Sequence, residues 1–245
     1  MSNDDDALLI SKSAEGRSFI VKNMIPGEYE YQQALQRPLA SCPNLRTIVD
    51  GLPGPELFIY PFLQTDFLQF SQKKLSEATR KSMLKKALVG LAALHDRNII
   101  HTGYEEAGDE FTVKDVKISD LEDASIYVML NDNDIVLCAS DEELAAADSW
   151  RYVLPRQISF FADEEGFKGL LQWIGEKNQF FERLIALAGS FDAVDPRKPF
   201  EKWHFVDAQF RDLVCKMTNL DPVRRITAVE ALRHPWFANE HEKSI

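Results

Sequence analysis

The spacing of apolar residues changes period near residue 63, and this change restricts the possible folds more than any other feature of the chain. Before it, short β-branched and aromatic runs are cut by Pro and Gly. Leu8–Ile10 and Ser18–Lys22 predict the two strands of a hairpin, joined through Ala14-Glu15-Gly16-Arg17, where Gly16 can supply the positive φ of a tight turn. Pro26-Gly27 ends that unit, and Tyr31, Ala34 and Leu35 at helical spacing predict an amphipathic helix within Glu28–Leu39. Leu45–Val49 and Leu57–Leu63 predict two further strands across a Pro/Gly-rich turn, Gly51–Pro55. From Ser76 the pattern is helical: Met83, Leu84, Ala87, Leu88, Leu91 and Leu94 recur at three and four residues, with Lys81, Lys85 and Lys86 assigned to the opposite side. Phe111–Val113 and Val116–Ile118 predict a short strand pair, after which helices dominate. The predicted class is α+β. A small antiparallel sheet with one helix spans residues 1–62, and a mainly helical region spans 63–245.

Composition narrows the function classes. With 245 residues, 45% of them hydrophobic, the chain can bury a core without covalent staples. Cys42, Cys138 and Cys215 are an odd set with no Cys-x-x-Cys pair and no His at ligand spacing, so they predict packed free thiols in a reducing compartment and no structural zinc. A net charge of −11 repels phosphate backbones and anionic lipid, which argues against nucleic-acid and membrane partners. The apolar stretch Ala87–Leu94 is far shorter than the ~20 residues that span a bilayer. The N-terminal MSNDDDALLISK is acidic where a secretory signal is basic, so cytosol or nucleus is expected. Carboxylate runs such as Asp141-Glu142-Glu143 and Asp163-Glu164-Glu165 fit solvated faces, and the aromatic residues of 170–205 fit core packing. His204 and His241 lack partners at metal spacing, and no Gly-x-Ser-x-Gly turn occurs.

One stretch is far more specific, running Asn219-Leu-Asp221-Pro222-Val-Arg224-Arg225-Ile-Thr227-Ala-Val-Glu230-Ala-Leu-Arg233-His234-Pro235-Trp236-Phe237. Its local physics predicts a Thr227–Glu230 capping box, a short helix and a stop at Pro235, followed by an aromatic anchor. It also closely resembles the last segment of eukaryotic Ser/Thr-type protein kinase domains, where an Asp-Pro-x-x-Arg-x-Thr turn leads to a helix ending His-Pro-Trp-Phe. Other parts occur in the family's order. Phe19-Ile20-Val21-Lys22 is similar to the Val-Ala-Ile-Lys strand, which makes Lys22 the candidate for the α/β-phosphates. Glu30, or failing that Glu28, is then its helix partner, and Ile20 lies where the family has a small residue beneath the adenine. Tyr60-Pro61-Phe62 resembles the hinge, with Tyr60 at the cofactor. The run Leu91-x-x-Leu94-His95-Asp96-x-Asn98-Ile99-Ile100-His101 resembles the approach to the catalytic loop, and Val116–Glu122 resembles the strand ending in Asp-Phe-Gly, with Asp120 at the metal position.

The resemblance implies a two-lobed fold, and ATP and Mg²⁺ as cofactors that bind weakly or not at all here, because the departures fall on the chemistry. Phosphoryl transfer needs positioning and charge neutralisation by a glycine-rich cover, a loop Asp, a Lys, an Asn and the metal-binding Asp. The loop here reads His101-Thr102-Gly103-Tyr104-Glu105-Glu106, which puts Gly103 at the base position, Glu105 at the Lys position and Gly108 at the Asn position. No Gly-x-Gly-x-x-Gly precedes Lys22. For the segment after Asp120, either Trp150–Arg156 stands at Ala-Pro-Glu, or Ile126–Leu130 ends a central helix whose start is deleted; the second alignment is preferred. Both leave Arg225 without its usual carboxylate. The expectation is a catalytically impaired, pseudokinase-like module that engages a protein partner. The alternatives are a Ser/Thr kinase that binds ATP and phosphorylates protein hydroxyls, or an incomplete gene product of one.

Overall fold

The computed structural model describes residues 9–64, 73, 75–99, 146 and 148–240, and the predicted strand pair at 111–118 lies outside them. The chain divides into two compact units, Met1–Lys73 with Val89–Ile100, and Lys74–Leu88 with His101–Ile245.

The first unit holds a four-stranded antiparallel sheet in the order β1-β2-β4-β3. The predicted hairpin forms from β1 (Leu9–Lys12) and β2 (Ser18–Asn23), with Ile10 opposite Ile20. Gly16 turns the chain at φ 80°, where an L side chain would be strained. β4 (Leu57–Pro61) also falls as expected, but its partner does not. The strand is β3, Asp50–Leu52, rather than Leu45–Val49, and the turn is Pro53–Glu56 rather than Gly51–Pro55. Pro53 and Pro55 have no N–H for a ladder, so the chain reverses there. The Glu56 N–H closes the turn on the Pro53 carbonyl at 3.2 Å, with Glu56 itself at φ 51°. Pairing of Leu52 with Leu57 then fixes which residues oppose β4.

α1 spans Tyr29–Gln36 and tightens into a 3₁₀ turn at Arg37–Leu39. Its start is held by Gly27 (φ 86°), whose N–H donates to the Glu56 carboxylate at 2.9 Å. The helix exists as predicted, but its rotation differs. Tyr31 is 65% exposed and Ala34 is exposed, while Tyr29 is the buried ring at 4%. Leu35 is half-buried.

α2 is the long helix, Glu77–His95. Arg80, Leu84, Leu88 and Ala92 form its buried i, i+4 stripe. Gly90 is needed within it, because a Cβ there would sit 2.8 Å from the Asn44 carbonyl oxygen. Past the helix end, Asn98 takes φ 55° while the Ile99 N–H donates back to the Leu94 carbonyl at 3.0 Å, a left-handed terminus that Asn tolerates better than most residues.

The second unit contains α3 (Trp150–Phe161), α4 (Glu164–Ile174), α5 (Phe181–Ala188), α6 (Ala208–Met217) and α7 (Ala228–Leu232). Asp163 and Asp207 cap α4 and α6 by accepting from the Gly166 and Phe210 N–H groups. Ile158, Ala162 and Leu184 centre a core completed by Leu154, Phe167, Leu171 and Leu220. The aromatic residues of 170–205 mostly pack inward, Phe200 being fully buried, but Trp173 and Phe205 are 67% and 76% exposed.

The specific C-terminal stretch forms a dense anchor. Thr227 and Glu230 make the predicted capping box in both directions, and the two hydrogen bonds from Thr227 hold the Glu230 carboxyl below the usual carboxylate range. Trp236 and Phe237 are buried, with Trp236 4.9 Å from the Phe210 ring. His234 Nδ1 accepts from the Trp236 N–H at 3.3 Å, and Nε2 lies 2.9 Å from Asp212 Oδ2. That pairing is met when Nε2 carries the proton that is donated to the carboxylate. Lys81, expected on the polar side of α2, instead lays its ammonium 4.9 Å from the centre of the Trp236 ring. Arg225, expected to lack its usual carboxylate, pairs with none among the described residues; its Nε donates to the Asn219 carbonyl at 2.7 Å and the residue is only half-buried, so no isolated buried charge arises.

Candidate functional site

The alternation of β2 and its register with β4 put Ile20 opposite Tyr60 and Lys22 opposite Phe58, so these four side chains share one face of the sheet. Ile20 is 9% exposed and Phe58 fully buried, whereas Lys22 and Tyr60 are half-buried. α1 covers this face. Its Tyr29 ring packs 4.6 Å from Phe58, and Phe58 meets Tyr60 edge-on at 6.3 Å. Gln36 bridges two elements: its Nε2 donates to the Tyr60 hydroxyl at 3.1 Å, and its Oε1 accepts from the Ile48 N–H at 3.3 Å. Arg46 adds a guanidinium 5.4 Å from the Tyr60 ring centre and donates to the Pro61 carbonyl at 2.9 Å. Tyr60 is therefore held by packing on every side that the described residues supply.

The sequence-derived site residues are brought together only in part. Ile20, Lys22 and Tyr60 lie on one face, while Glu30 is exposed on α1 and no ion pair joins it to Lys22. Glu28, the alternative partner, accepts instead from Gln32 Nε2 at 3.3 Å. Among the described residues Lys22 has no carboxylate partner. Its cross-strand neighbours on that face are Phe58 and, one pair along, Ile20 and Tyr60. Gly103, Asp120 and His101 lie outside the described residues, as do Glu105, Gly108 and Ile126–Leu130. Trp150–Arg156, one alternative for the Ala-Pro-Glu position, forms the first half of α3, with Pro155 inside the helix.

Two residues shape this face unforeseen: Tyr29, which the helical spacing passes over, and Gly51, expected in the turn and found on β3. The signal was the i, i+4, i+7 series Tyr29, Gln33, Gln36, whose amides disguise the buried side of the helix. Among the described residues no three His, Cys, Asp or Glu side chains are grouped to hold a metal, and no helix is long and apolar enough to cross a membrane. Cys42 and Cys215 are free; burial, reinforced by nearby carboxylates, pushes the Cys215 thiol up to about 11, which leaves it protonated and unreactive at neutral pH.

Comparison with known proteins agrees with this architecture. No protein-family model matches the chain. A 67-residue stretch, 27% of the chain, is 33% identical to the rabbit (Oryctolagus cuniculus) calcium/calmodulin-dependent protein kinase type II subunit delta and spans 11% of that protein's length. A MAP kinase of Leishmania major, solved as a complex, superposes with a TM-score of 0.61 and 16% identity, over 97% of this chain and 84% of its own. The fold is protein-kinase-like, α+β, with a small antiparallel sheet and a mostly helical remainder.

Proposed function

We propose that this protein-kinase-like chain is a pseudokinase, a binding or regulatory module that engages a protein partner rather than a phosphotransfer enzyme. The observation that carries the reading is Lys22, which lies on the β2 face without a carboxylate partner among the described residues while Glu30 is exposed. An unpaired amine is free to choose its rotamer, so it does not hold a phosphate in one position. The residues of the described sheet and helix therefore do not fit Mg·ATP as a clamp would. The sequence adds a second, independent loss. Gly103 stands where a general base would be, and losing such a base costs about 10²- to 10⁴-fold in rate. With Gly103 at the base position of the sequence and no Lys22–Glu30 pair among the described residues, the use that remains for a folded kinase-like chain is its surface, whose net charge of −11 favours a basic or neutral protein partner over nucleic acid or anionic lipid.

Incubation of the full chain with labelled ATP, Mg²⁺ and a generic basic protein substrate tests this. The expected result is phosphate transfer no faster than the blank. Transfer that disappears in Asp120→Asn would overturn the reading and restore the Ser/Thr kinase alternative.

A further inference from the structure

We infer that Tyr29 and Gly51 form a steric key that fixes the rotation of α1, and that this key, rather than any loss of the glutamate, is what keeps Lys22 and Glu30 apart. The inference rests on the pseudokinase reading only in giving that separation a functional meaning; its geometry stands alone. Lys22, Phe58 and Gly51 lie directly opposite one another across β2, β4 and β3, forming one transverse row on the face that α1 covers. Tyr29 lies over this row. Its ring stacks on Phe58, and its hydroxyl fills the space a side chain on β3 would take: a Cβ at position 51 would run into that hydroxyl and stand 3.1 Å from Phe58 Cδ1. Gln33, one turn along, donates from Nε2 to the same hydroxyl at 3.4 Å, and Gln36 pins the far end of the helix to Tyr60. Tyr29 and Gln36, on one side of α1, are thus engaged with the sheet, and Gln33 between them braces Tyr29.

Successive residues of an α-helix are about 100° apart, so with Tyr29 inward Glu30 must point well away from the row. Bringing Glu30 to Lys22 requires α1 to turn by about that angle, which withdraws Tyr29 from Phe58 and empties the space beside Gly51. Burial of a whole phenol ring outweighs an ion pair whose two ends are both partly in water, so the sequence favours the phase observed. Both carboxylate and amine are present. What separates them is an aromatic residue at the preceding position and a glycine that makes room for it.

A double-mutant cycle in the full chain tests the key. Lys22→Met, Glu30→Gln and the pair are compared by urea midpoint, first in the native background and then with Tyr29→Ala. The expected result is additivity in the native background and clear non-additivity with Tyr29→Ala, where the helix is free to turn and the pair can form. Coupling in the native background, or additivity in both, would overturn the inference. Should Tyr29→Ala not fold, Gly51→Ala displaces the same hydroxyl from the strand side and is read by the same criteria. The outcomes separate from those of the functional reading. Phosphate transfer by the native chain would sink the pseudokinase proposal and leave the key untouched, whereas absence of coupling with Tyr29→Ala would sink the key alone.

Discussion

The C-terminal anchor and the β2 face both carry kinase-like sequence, yet only the anchor uses it fully. Around Trp236 each retained polar residue has found a partner: His234 bonds Asp212 and the Trp236 N–H, Thr227 and Glu230 cap each other, and Arg225 reaches a carbonyl. On the β2 face the apolar residues pack but the charged ones do not meet. The difference teaches that residues whose role is packing and capping maintain themselves through stability, while residues whose role is to hold a ligand can drift apart at little cost to the fold.

Perturbing the two regions unequally is the way to break that comparison. Trp236→Ala should be the most damaging, costing about 3 to 5 kcal/mol through lost burial and an unfilled cavity, measured by urea unfolding. A loss below about 1 kcal/mol would mean the anchor is not structural. Next, His234→Ala should cost about 1 to 3 kcal/mol, because it leaves the buried Trp236 N–H without its acceptor. Thr227→Ala removes one half of the capping box and should lower stability by about 1 kcal/mol. On the other face, Lys22→Met should change stability by no more than about 0.5 kcal/mol, since Lys22 makes no ion pair among the described residues. A larger loss would show that Lys22 has a stabilising partner after all.

Acid should act on the anchor too. For Asp212, burial works to raise the carboxyl pKa, but hydrogen bonds and charge from Lys216 and His234 outweigh it and leave the group below its ordinary value of 3.8. Glu230 likewise lies below 4.5 through its bonds from Thr227. Both pKa values are depressed on folding, so each group's contribution is complete above its unfolded value and is lost as pH falls through the folded one. Unfolding midpoints should therefore decline between about pH 5 and about pH 3, and Thr227→Ala should shallow that decline. A flat profile in the native protein would contradict the hydrogen-bonded geometry of the anchor.

Local chemistry was the legible part of the sequence. The β1–β2 hairpin with Gly16, the capping box and the long helix from Ser76 follow from residues within a few positions of one another. What escaped depends on distant partners. β3 has poor strand formers in Asp50 and Gly51 and exists because Leu57–Ile59 pair with it. The rotation of α1 is set by a glycine on β3, some twenty residues downstream, so the apparent apolar series Tyr31, Ala34, Leu35 misjudged the buried side. Lys81 deceived the pattern because a lysine can leave the polar side when its ammonium finds partners, here the Trp236 ring face at 4.9 Å and the Glu77 carboxylate at 3.3 Å. Of the candidate site, strand alternation made the shared face of Ile20 and Lys22 legible, and the register of β2 with β4 adds Tyr60 to that face. Whether Lys22 and Glu30 meet was not legible, because that is decided by the helix phase.

The most direct test of the central claim, that the fold is retained while the phosphate clamp is not assembled, is the melting temperature of the full chain with and without Mg·ATP. The account predicts coincident curves, before and after Lys22→Ala. A rise equivalent to about 2.7 kcal/mol at ligand a hundredfold above Kd, abolished by Lys22→Ala, would contradict it.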